Sequence, residues 1–327
     1  MNNNNLAVET FGLTKAYKGV FAVDNINLKV PKGSICGFLG KNGAGKTTTI
    51  KMVTGLIRPT AGDYAVMGTQ KENLTKGAKS VGYLPDVPDF YGYMNGGEFL
   101  RLCGRLCNIS DKELRSHVPS LLKQVGLDGV KTKISGYSRG MRQRLGIAQA
   151  LINSPPVVFM DEPVSALDPM GRRDVMEIIS NLRAASGTTV VFSTHILADV
   201  ESICDYVAII HRGKMIAQDS IDNIKRGFAK NLAEVTFYEQ EHREKFEQAI
   251  KKSARAVITE SDAESIKTML SIDSDTQELG KITASILADI AVPFESFNMH
   301  APSLDDIFYE MTVSVDNASK GEGGQKI

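Results

Sequence analysis

The chain of 327 residues has no surplus of charge of either sign and few cysteines. Its 38 Lys and Arg residues balance 38 Asp and Glu residues. This balance argues against a protein that holds nucleic acid mainly through phosphate contacts, because such contacts need clustered surplus cations. Four cysteines in a chain of this length are too few for a disulfide framework and are typical of reduced thiols in the cytosol.

The sequence also lacks long apolar runs and the features of a targeting segment. Its apolar runs are short, such as residues 155–160 and 190–192, whereas a bilayer span needs roughly 18 to 20 residues. Residues 1–5 are polar, without the basic start and apolar stretch of a signal peptide. We therefore expect that no segment of the chain crosses a membrane.

Short apolar runs alternate with helical patterns over the first two thirds of the chain, which is typical of an α/β protein. Buried strands are predicted at residues 34–39, 156–160, 188–193 and 206–211. Helices are predicted at residues 46–55, 97–107, 112–125, 139–152 and 172–185.

The pattern changes after about residue 224. Strands are predicted at residues 232–238, 254–259, 265–272 and 294–299, and helices at residues 242–252, 276–290 and 303–312. Their βαββαβ order predicts a small ferredoxin-like α+β domain at residues 226–314. Residues 315–327 are rich in Gly, Ser and Lys and are predicted to form a disordered tail.

A glycine-rich segment, GKNGAGKTT at residues 40–48, joins the first predicted strand to the first predicted helix. It matches the P-loop motif in the strand–loop–helix context that this motif requires. Glycines allow backbone angles that turn successive N–H groups toward phosphate oxygens, and the helix start adds its positive dipole end. Lys46 is expected to reach the β- and γ-phosphates of a nucleoside triphosphate, and Thr47 to offer a hydroxyl to Mg²⁺. The candidate nucleotide-binding residues here are Gly40, Asn42, Gly43, Ala44, Gly45, Lys46, Thr47 and Thr48.

Two acids, Asp161 and Glu162, end the apolar strand predicted at 156–160, as in a Walker B motif. An apolar strand would hold Asp161 rigidly beside the P-loop, where it can bind the Mg²⁺ shell. Glu162 would face the γ-phosphate and polarise an attacking water. Alone, such a pair usually marks a strand end, but together with a P-loop it predicts nucleotide hydrolysis.

Residues 135–144, SGYSRGMRQR, lie between these two motifs and open the helix predicted at 139–152. This segment resembles the signature loop of ATP-binding cassette (ABC) ATPases, a Ser-Gly-Gly-Gln type loop. Ser138 and Gly140 match, whereas Arg139 replaces the first Gly and Met141 the Gln. The variant is similar to the cassettes of ABC-2 type export systems for drugs, antibiotics and sodium. Small residues at a helix start provide a second anion site, suited to a γ-phosphate.

The resemblance extends to two positions after the Walker B strand. Asp168, in the sequence SALD, resembles the aspartate of the D-loop, which lies along the dimer interface in this family. His195, after the strand predicted at 188–193, matches the switch histidine that contacts the γ-phosphate and holds the geometry of Glu162.

Two further matches leave alternatives open. Tyr17 matches the aromatic residue that stacks on adenine, and the alternative is an ordinary core side chain. Asp86, in the sequence VGYLPD, aligns with the Q-loop at a position where most cassettes have Gln. Ionised Asp binds Mg²⁺ more strongly than Gln. Acidic residues at this position resemble those of the ABC-2 type branch, so we interpret Asp86 as functional, and the resemblance makes it a candidate metal ligand. The alternative is a turn residue between two prolines.

The resemblance implies an α/β fold: a RecA-like P-loop NTPase cassette at residues 1–225, with an antiparallel β subdomain and a helical subdomain at about residues 86–150. It implies an ATPase with ATP and Mg²⁺ as cofactors. The implied catalytic residues are Glu162, His195 and Lys46, and the implied metal ligands are Thr47, Asp86 and Asp161.

The resemblance also implies partners and a location. A second ATP-binding cassette, identical or different, would complete the site. The chain would power transport, in the direction of export, through integral-membrane permease subunits on separate chains. The chain would then lie in the cytoplasm, peripherally on the inner face of the cell membrane, without nucleic acid as a partner. A soluble ABC ATPase of translation or DNA maintenance is the alternative, as is a regulator that binds nucleotide without turnover. The soluble ATPase is disfavoured because the sequence has a single cassette, no long coiled coil and a neutral net charge. The regulator is disfavoured because Glu162 and His195 are both present.

Overall fold

The computed structural model describes residues 5–70, 81–227, 231–253, 256–260, 266–272, 276–300 and 303–321. The chain divides into two compact units, Met1–Ile221 and Asp222–Ile327. The boundary predicted between residues 225 and 226 lies close to this division, inside the helix Ile221–Gly227.

The first unit combines a parallel sheet, an antiparallel sheet and a set of helices. Its strands are β1 (Leu6–Tyr17), β2 (Val20–Ile26), β3 (Lys29–Pro31), β4 (Ile35–Leu39), β5 (Ala61–Val66), β6 (Thr69–Gln70), β7 (Val81–Leu84), β8 (Val157–Asp161), β9 (Thr189–Thr194), β10 (Tyr206–His211) and β11 (Lys214–Ser220). Its helices are α1 (Lys46–Val53), α2 (Gly96–Leu106), α3 (Asp111–Gln124), α4 (Arg139–Leu151), α5 (Pro169–Ser186) and α6 (Leu197–Ile203).

The main sheet has the strand order β11-β10-β4-β9-β8-β7. Its strands pair in parallel except β11, which is antiparallel to β10. Every residue of β4, β8 and β9 is buried, as expected for parallel strands covered on both faces. The carboxyl ends of β4, β7, β8 and β9 therefore lie at one edge of the sheet, the edge where ligands bind in open α/β folds. The α/β class predicted from the sequence is confirmed.

A second sheet is built from the N-terminal strands in the order β2-β1-β5-β6, with β3 also paired to β1. Its pairs are antiparallel, and they include register shifts at β-bulges in β1. Val8 and Ile26 from this sheet join Phe38 of β4 and Ile50 of α1 in one apolar core. The sheet thereby packs against the strand and helix that flank the glycine-rich loop.

Helices α2, α3 and α4 form a helical region within residues 96–151, close to the predicted range. Capping boxes start α2 and α3, since Asn95 pairs with Glu98 and Ser110 pairs with Glu113. Leucine side chains of all three helices share one core. The five helices predicted in this unit each begin and end within three residues of the observed bounds.

The second unit contains strands β12 (Asn231–Phe237), β13 (Val257–Glu260), β14 (Lys267–Ile272) and β15 (Phe294–His300), with helices α7 (Ile221–Gly227), α8 (Gln240–Ser253), α9 (Thr276–Ile290) and α10 (Leu304–Gly321). The antiparallel sheet has the order β13-β14-β12-β15. A core that includes Val235, Phe246 and Leu279 joins the sheet to α8 and α9. From β12 to β15 the elements follow the predicted βαββαβ order, and the strand order is that of a ferredoxin-like domain.

The C-terminal helix is longer than predicted. The prediction ended a helix at residue 312 and assigned residues 315–327 to a disordered tail, but α10 continues to Gly321. Once a helix is nucleated, each further residue adds a hydrogen bond at low cost, so polar residues extend it. The tail predicted at residues 315–327 thus begins within the observed α10, and residues 322–327 lie outside the described part of the chain.

In the described ranges, we find no helix whose length and apolar character would let it cross a bilayer.

Candidate nucleotide-binding site

The loop after β4 takes a conformation that only glycine accommodates easily. Gly43 and Gly45 have φ angles of 79° and 108°, in a region that other residues rarely adopt. Gly40 has no room for a side chain, because a Cβ there would lie 2.4 Å from the backbone oxygen of Ile210. Helix α1 begins directly after Gly45, and no side chain caps its first N–H groups. Those N–H groups and the helix dipole are available to an anion.

Lys46 is buried at the first position of α1, with 5% of its surface exposed. Its Nζ donates a hydrogen bond to the carbonyl oxygen of Gly40 at 2.6 Å. The same Nζ lies 3.2 Å from Oε1 of Glu162. The cation is thus held at the loop, close to the carboxylate that follows β8.

Asp161 accepts hydrogen bonds from two hydroxyl groups on different elements. Thr47 Oγ1 of α1 and Ser193 Oγ of β9 both donate to Asp161 Oδ1, at 3.0 and 2.6 Å. Asp161 and Ser193 are register partners on β8 and β9. These bonds join the helix start and the ends of two strands through one buried carboxylate.

Glu162 lies between a lysine and a histidine. Its Oε1 contacts Lys46, and its Oε2 lies 3.0 Å from Nδ1 of His195. Its backbone has a φ of 47°, a strained value for a residue with a Cβ. Its N–H donates to Ser193 Oγ at 2.9 Å. Ser193 therefore supports both acids at the end of β8, although no motif in the sequence marks it as a site residue.

Asp86 lies on the segment after β7, on the same side of the sheet. Desolvation in the cleft, together with the charges of Asp161 and Glu162, raises the pKa of the Asp86 carboxyl above its ordinary value, and the charge of Arg139 opposes this. The side chain thus belongs to a region of negative charge that a cation would relieve.

Lys46, Thr47, Asp86, Glu162 and His195 are among the residues that line an open cleft of about 350 Å³. The cleft is lined by Ala22, Asn42, Gly43, Ala44, Gly45, Lys46, Thr47, Thr48, Asp86, Glu162, Ser165 and His195. Ala22 and Ser165 were not predicted. Ala22 lies on β2, and only the contact between β2 and the loop at Gly45 reveals that it reaches the cleft.

Six predicted residues are not among the described residues that line this cleft: Tyr17, Gly40, Ser138, Gly140, Asp161 and Asp168. Ser138 caps α4 by accepting a bond from the Met141 N–H, and Asp168 caps α5 by accepting from the Gly171 N–H. A Cβ on Gly140 would meet no atom within 4 Å.

Tyr17 is 49% exposed at the end of β1, which excludes the core alternative. Lys15 Nζ lies 5.2 Å from the centre of its ring, within range of a cation–π contact.

The fold and the loop define the class of protein: a P-loop nucleoside triphosphatase. Comparisons with known proteins give the family, since the profile of the ABC transporter family matches residues 23–165. The daunorubicin/doxorubicin resistance ATP-binding protein DrrA of Streptomyces peucetius is 32% identical, over 94% of this chain and 92% of its own length. The bacitracin transport ATP-binding protein BcrA of Bacillus licheniformis is 39% identical, over 69% of this chain and 73% of its own length.

Among solved structures, the dimeric post-hydrolysis structure of the ATP-binding cassette MJ0796 bound to ADP and Pi has 25% sequence identity and a TM-score of 0.60. The match covers 65% of this chain and 98% of that cassette. The chain belongs to the ATP-binding proteins of ABC transporters, and it is an ATPase that binds ATP. ATP-binding subunits of this family act with membrane permeases and dimerise.

Proposed function

We propose that Glu162 is the carboxylate that orients water for attack on the γ-phosphate. The observation that supports this role is its position between Lys46 Nζ at 3.2 Å and His195 Nδ1 at 3.0 Å, at the edge of the P-loop cleft. A general base must first lie within reach of the proton that it removes, and only then does its pKa matter. Lys46 and His195 contact the two carboxylate oxygens of Glu162 and so fix their positions. When phosphate enters, Lys46 would bind its charge and His195 would keep Glu162 aimed at the water.

The backbone of residues 40–48 would bind the phosphates. The positive φ angles of Gly43 and Gly45, and the uncapped start of α1, favour inward-pointing N–H groups. Asn42 and Thr48 line the same cleft. Tyr17 would stack on the base: its ring is half exposed, and Lys15 covers one face, so the other face would take adenine.

The donor set at the end of β8 suits Mg²⁺. Thr47 Oγ1 at the start of α1 and Asp161 Oδ1 at the end of β8 are hard oxygen donors 3.0 Å apart, and Asp86 adds a carboxylate in the cleft. Mg²⁺ prefers a few such oxygens and completes its shell with water and phosphate. When bound, it would neutralise charge on the β- and γ-phosphates. Thr47, Asp161 and Asp86 are the residues that would hold it.

A second cassette would complete the site. Ser138 and Gly140 stand at the start of α4, outside the described lining of the cleft, with open space at Gly140. A helix start with small residues and an inward-facing hydroxyl can take a γ-phosphate presented by another chain. Asp168 belongs to the loop before α5, which would lie along this interface.

The names of the relatives support a direction of transport. DrrA is named for drug resistance and BcrA for bacitracin transport, which supports export as the process that this chain powers. The helical region α2–α4 would dock permease subunits carried on separate chains. We propose that this docking places the chain on the inner face of the cell membrane.

The central test of Glu162 is its replacement by the isosteric amide. Glu162→Gln should lower phosphate release by about 10² to 10⁴-fold, the contribution typical of a general base. It should retain ATP and trap the dimer, because only the hydrolytic step is blocked. Phosphate release measured near the wild-type rate would contradict the assignment.

The membrane partner is tested by gentle purification of the full-length chain from cells. A polytopic membrane protein should co-purify with it. Co-purification with ribosomes instead would support the translation alternative.

A further inference from the structure

One half-buried ion pair joins two elements that lead away from the cleft. Arg172 is the fourth residue of α5, and Asp199 is the third residue of α6. Arg172 Nε and Nη2 both donate to Asp199 Oδ1, at 2.8 and 2.6 Å. The Asp199 side chain is 4% exposed and the Arg172 side chain is 35% exposed, so water screens this contact only in part.

Each partner is tied to a loop of the nucleotide site. The Arg172 N–H donates to the carbonyl oxygen of Asp168 at 2.9 Å, and the Ser165 N–H donates to that of Glu162 at 3.1 Å. Arg172 is thereby bound to the turn that begins at Glu162 and ends at the cap of α5. Asp199 lies one turn after His195, across the start of α6.

These contacts form a closed ring. It runs from Glu162 through residues 163–168 to Arg172, across the ion pair to Asp199, along the start of α6 to His195, and back to Glu162 Oε2. The two flanking segments have strained or uncapped backbone, so contacts from outside them help to fix their positions. Glu162 and Ala166 have positive φ angles, and α6 has seven residues with no side-chain cap.

We propose that the Arg172–Asp199 pair is a positioning contact for catalysis. It fixes the start of α6, and with it His195, relative to the loop that joins Glu162 to α5. This inference rests on the proposed function of Glu162 and His195. Neither Arg172 nor Asp199 is among the residues that line the cleft, so the pair acts through His195 and the loop rather than by touching ATP.

The electrostatic surroundings agree with this geometry. Burial raises the pKa of Asp199, Arg172 lowers it, and the charges of Glu162 and His195 act on the same carboxyl. Within the described residues, Asp199 Oδ2 is buried without a hydrogen-bond partner, because both Arg172 nitrogens converge on Oδ1. Removal of Arg172 alone would leave a buried, unpaired charge, so the test replaces both partners.

The helix α5 provides a matched control. Arg183, in its last turn, contacts Asp205 with Nη2 3.0 Å from Oδ2. The residue type and the partner type are the same, but this pair lies at the other end of the helix and is more exposed.

The experiment compares the full-length wild type, the double variant Arg172→Gln/Asp199→Asn, and Arg183→Gln, with phosphate release measured across ATP concentrations. We expect the double variant to lose about tenfold in kcat, with a KM for ATP within about twofold, as for the loss of an interaction made in the transition state. Arg183→Gln should match the wild type in both. A kcat of the double variant within about twofold of the wild type, or an equal loss in Arg183→Gln, would overturn the proposal.

Two further variants keep the result decisive. If the double variant does not fold, Arg172→Lys decides, because it keeps the charge but replaces two guanidinium donors with one ammonium group. It should lose about threefold in kcat at unchanged KM, and wild-type kcat would overturn the proposal. Glu162→Gln, assayed alongside, separates the two claims: if it retains turnover, the proposed function fails rather than the positioning role.

Discussion

The edge of the parallel sheet and the start of α4 both suit an anion, but they are built in opposite ways. At the sheet edge, Lys46, Asp161, Glu162, Ser193 and His195 contact one another at 2.6 to 3.2 Å. At the start of α4, Ser138 only caps its helix, and the position of Gly140 is open. The difference agrees with the proposal that one half of the site is assembled within the chain and that a second cassette binds at the other half.

The largest effect on ATP binding should follow from removing the cation of the sheet edge. Lys46→Ala should weaken ATP binding by about a hundredfold, because charge-assisted hydrogen bonds to phosphate are the strong ones. Calorimetry with the full-length chain measures this affinity. Lys41→Ala, an exposed lysine of the same loop, is the control and should bind ATP within about threefold of the wild type. Unchanged affinity in Lys46→Ala would contradict the P-loop role.

A substitution at the start of α4 should change the rate of ATP turnover but not the stability of the fold. Gly140→Asp should lower phosphate release by about thirtyfold, because it sets a negative charge against the phosphate of the opposing cassette. Its melting temperature should stay within about 2 °C of the wild type, since a Cβ there meets no atom and an acid suits a helix start. The smaller variant Gly140→Ala should lose less turnover. A large loss of stability in Gly140→Asp would show that α4 is packed within the chain.

A smaller effect tests the bonds within the sheet edge. Ser193→Ala removes the hydroxyl that donates to Asp161 and accepts from the Glu162 N–H, so we expect about a tenfold loss of turnover. Denaturant unfolding should show a loss of about 1 to 3 kcal/mol, the cost of buried polar groups left without a partner. Ser202→Ala removes a hydroxyl bonded within α6 and should leave turnover unchanged. Equal turnover in Ser193→Ala and the wild type would show that Ser193 does not position the acids.

The smallest effect concerns the charge of Asp86. Its pKa is raised in the folded protein, so the folded state binds this proton more tightly than the unfolded chain. Ionised Asp86 therefore weakens the fold at neutral pH, and this cost disappears as the pH falls below the ordinary value of 3.8.

Asp86→Asn should accordingly raise the melting temperature near neutral pH by less than about 2 °C, since Asp86 is largely exposed and screened. The difference should vanish at low pH. Asp89→Asn, in the same segment but outside the cleft lining, is the control in a melting series against pH. If the stabilisation by Asp86→Asn grew as the pH fell, the result would contradict a raised pKa of Asp86 in the folded protein.

The sequence predicted the sheet edge well because its signals are local. Parallel strands buried on both faces appear as short apolar runs, and β4, β8 and β9 each fall within one residue of the predicted bounds. The P-loop and the acids after β8 are contiguous in the chain, so motif and context could be recognised together.

Long-range pairing accounts for what was missed. Ser193 looks like an ordinary strand end until β8 and β9 are aligned, which places it beside Asp161. Strands β1 and β2 were not delimited, because bulges and exposed aromatic residues interrupt their alternation. The ion pair of Arg172 and Asp199 spans 27 positions of sequence, and no local pattern marks either residue.

The most direct test of the two-half site is a mixing experiment with two inactive chains. Lys46→Ala and Gly140→Asp each disable a different half, and a mixed dimer has one site with both halves intact only if the halves come from different chains. Phosphate release should therefore reappear on mixing equal amounts, at about a quarter of the wild-type rate, since half of the dimers are mixed and each has one working site. Turnover that stays at the level of the separate variants would contradict the account.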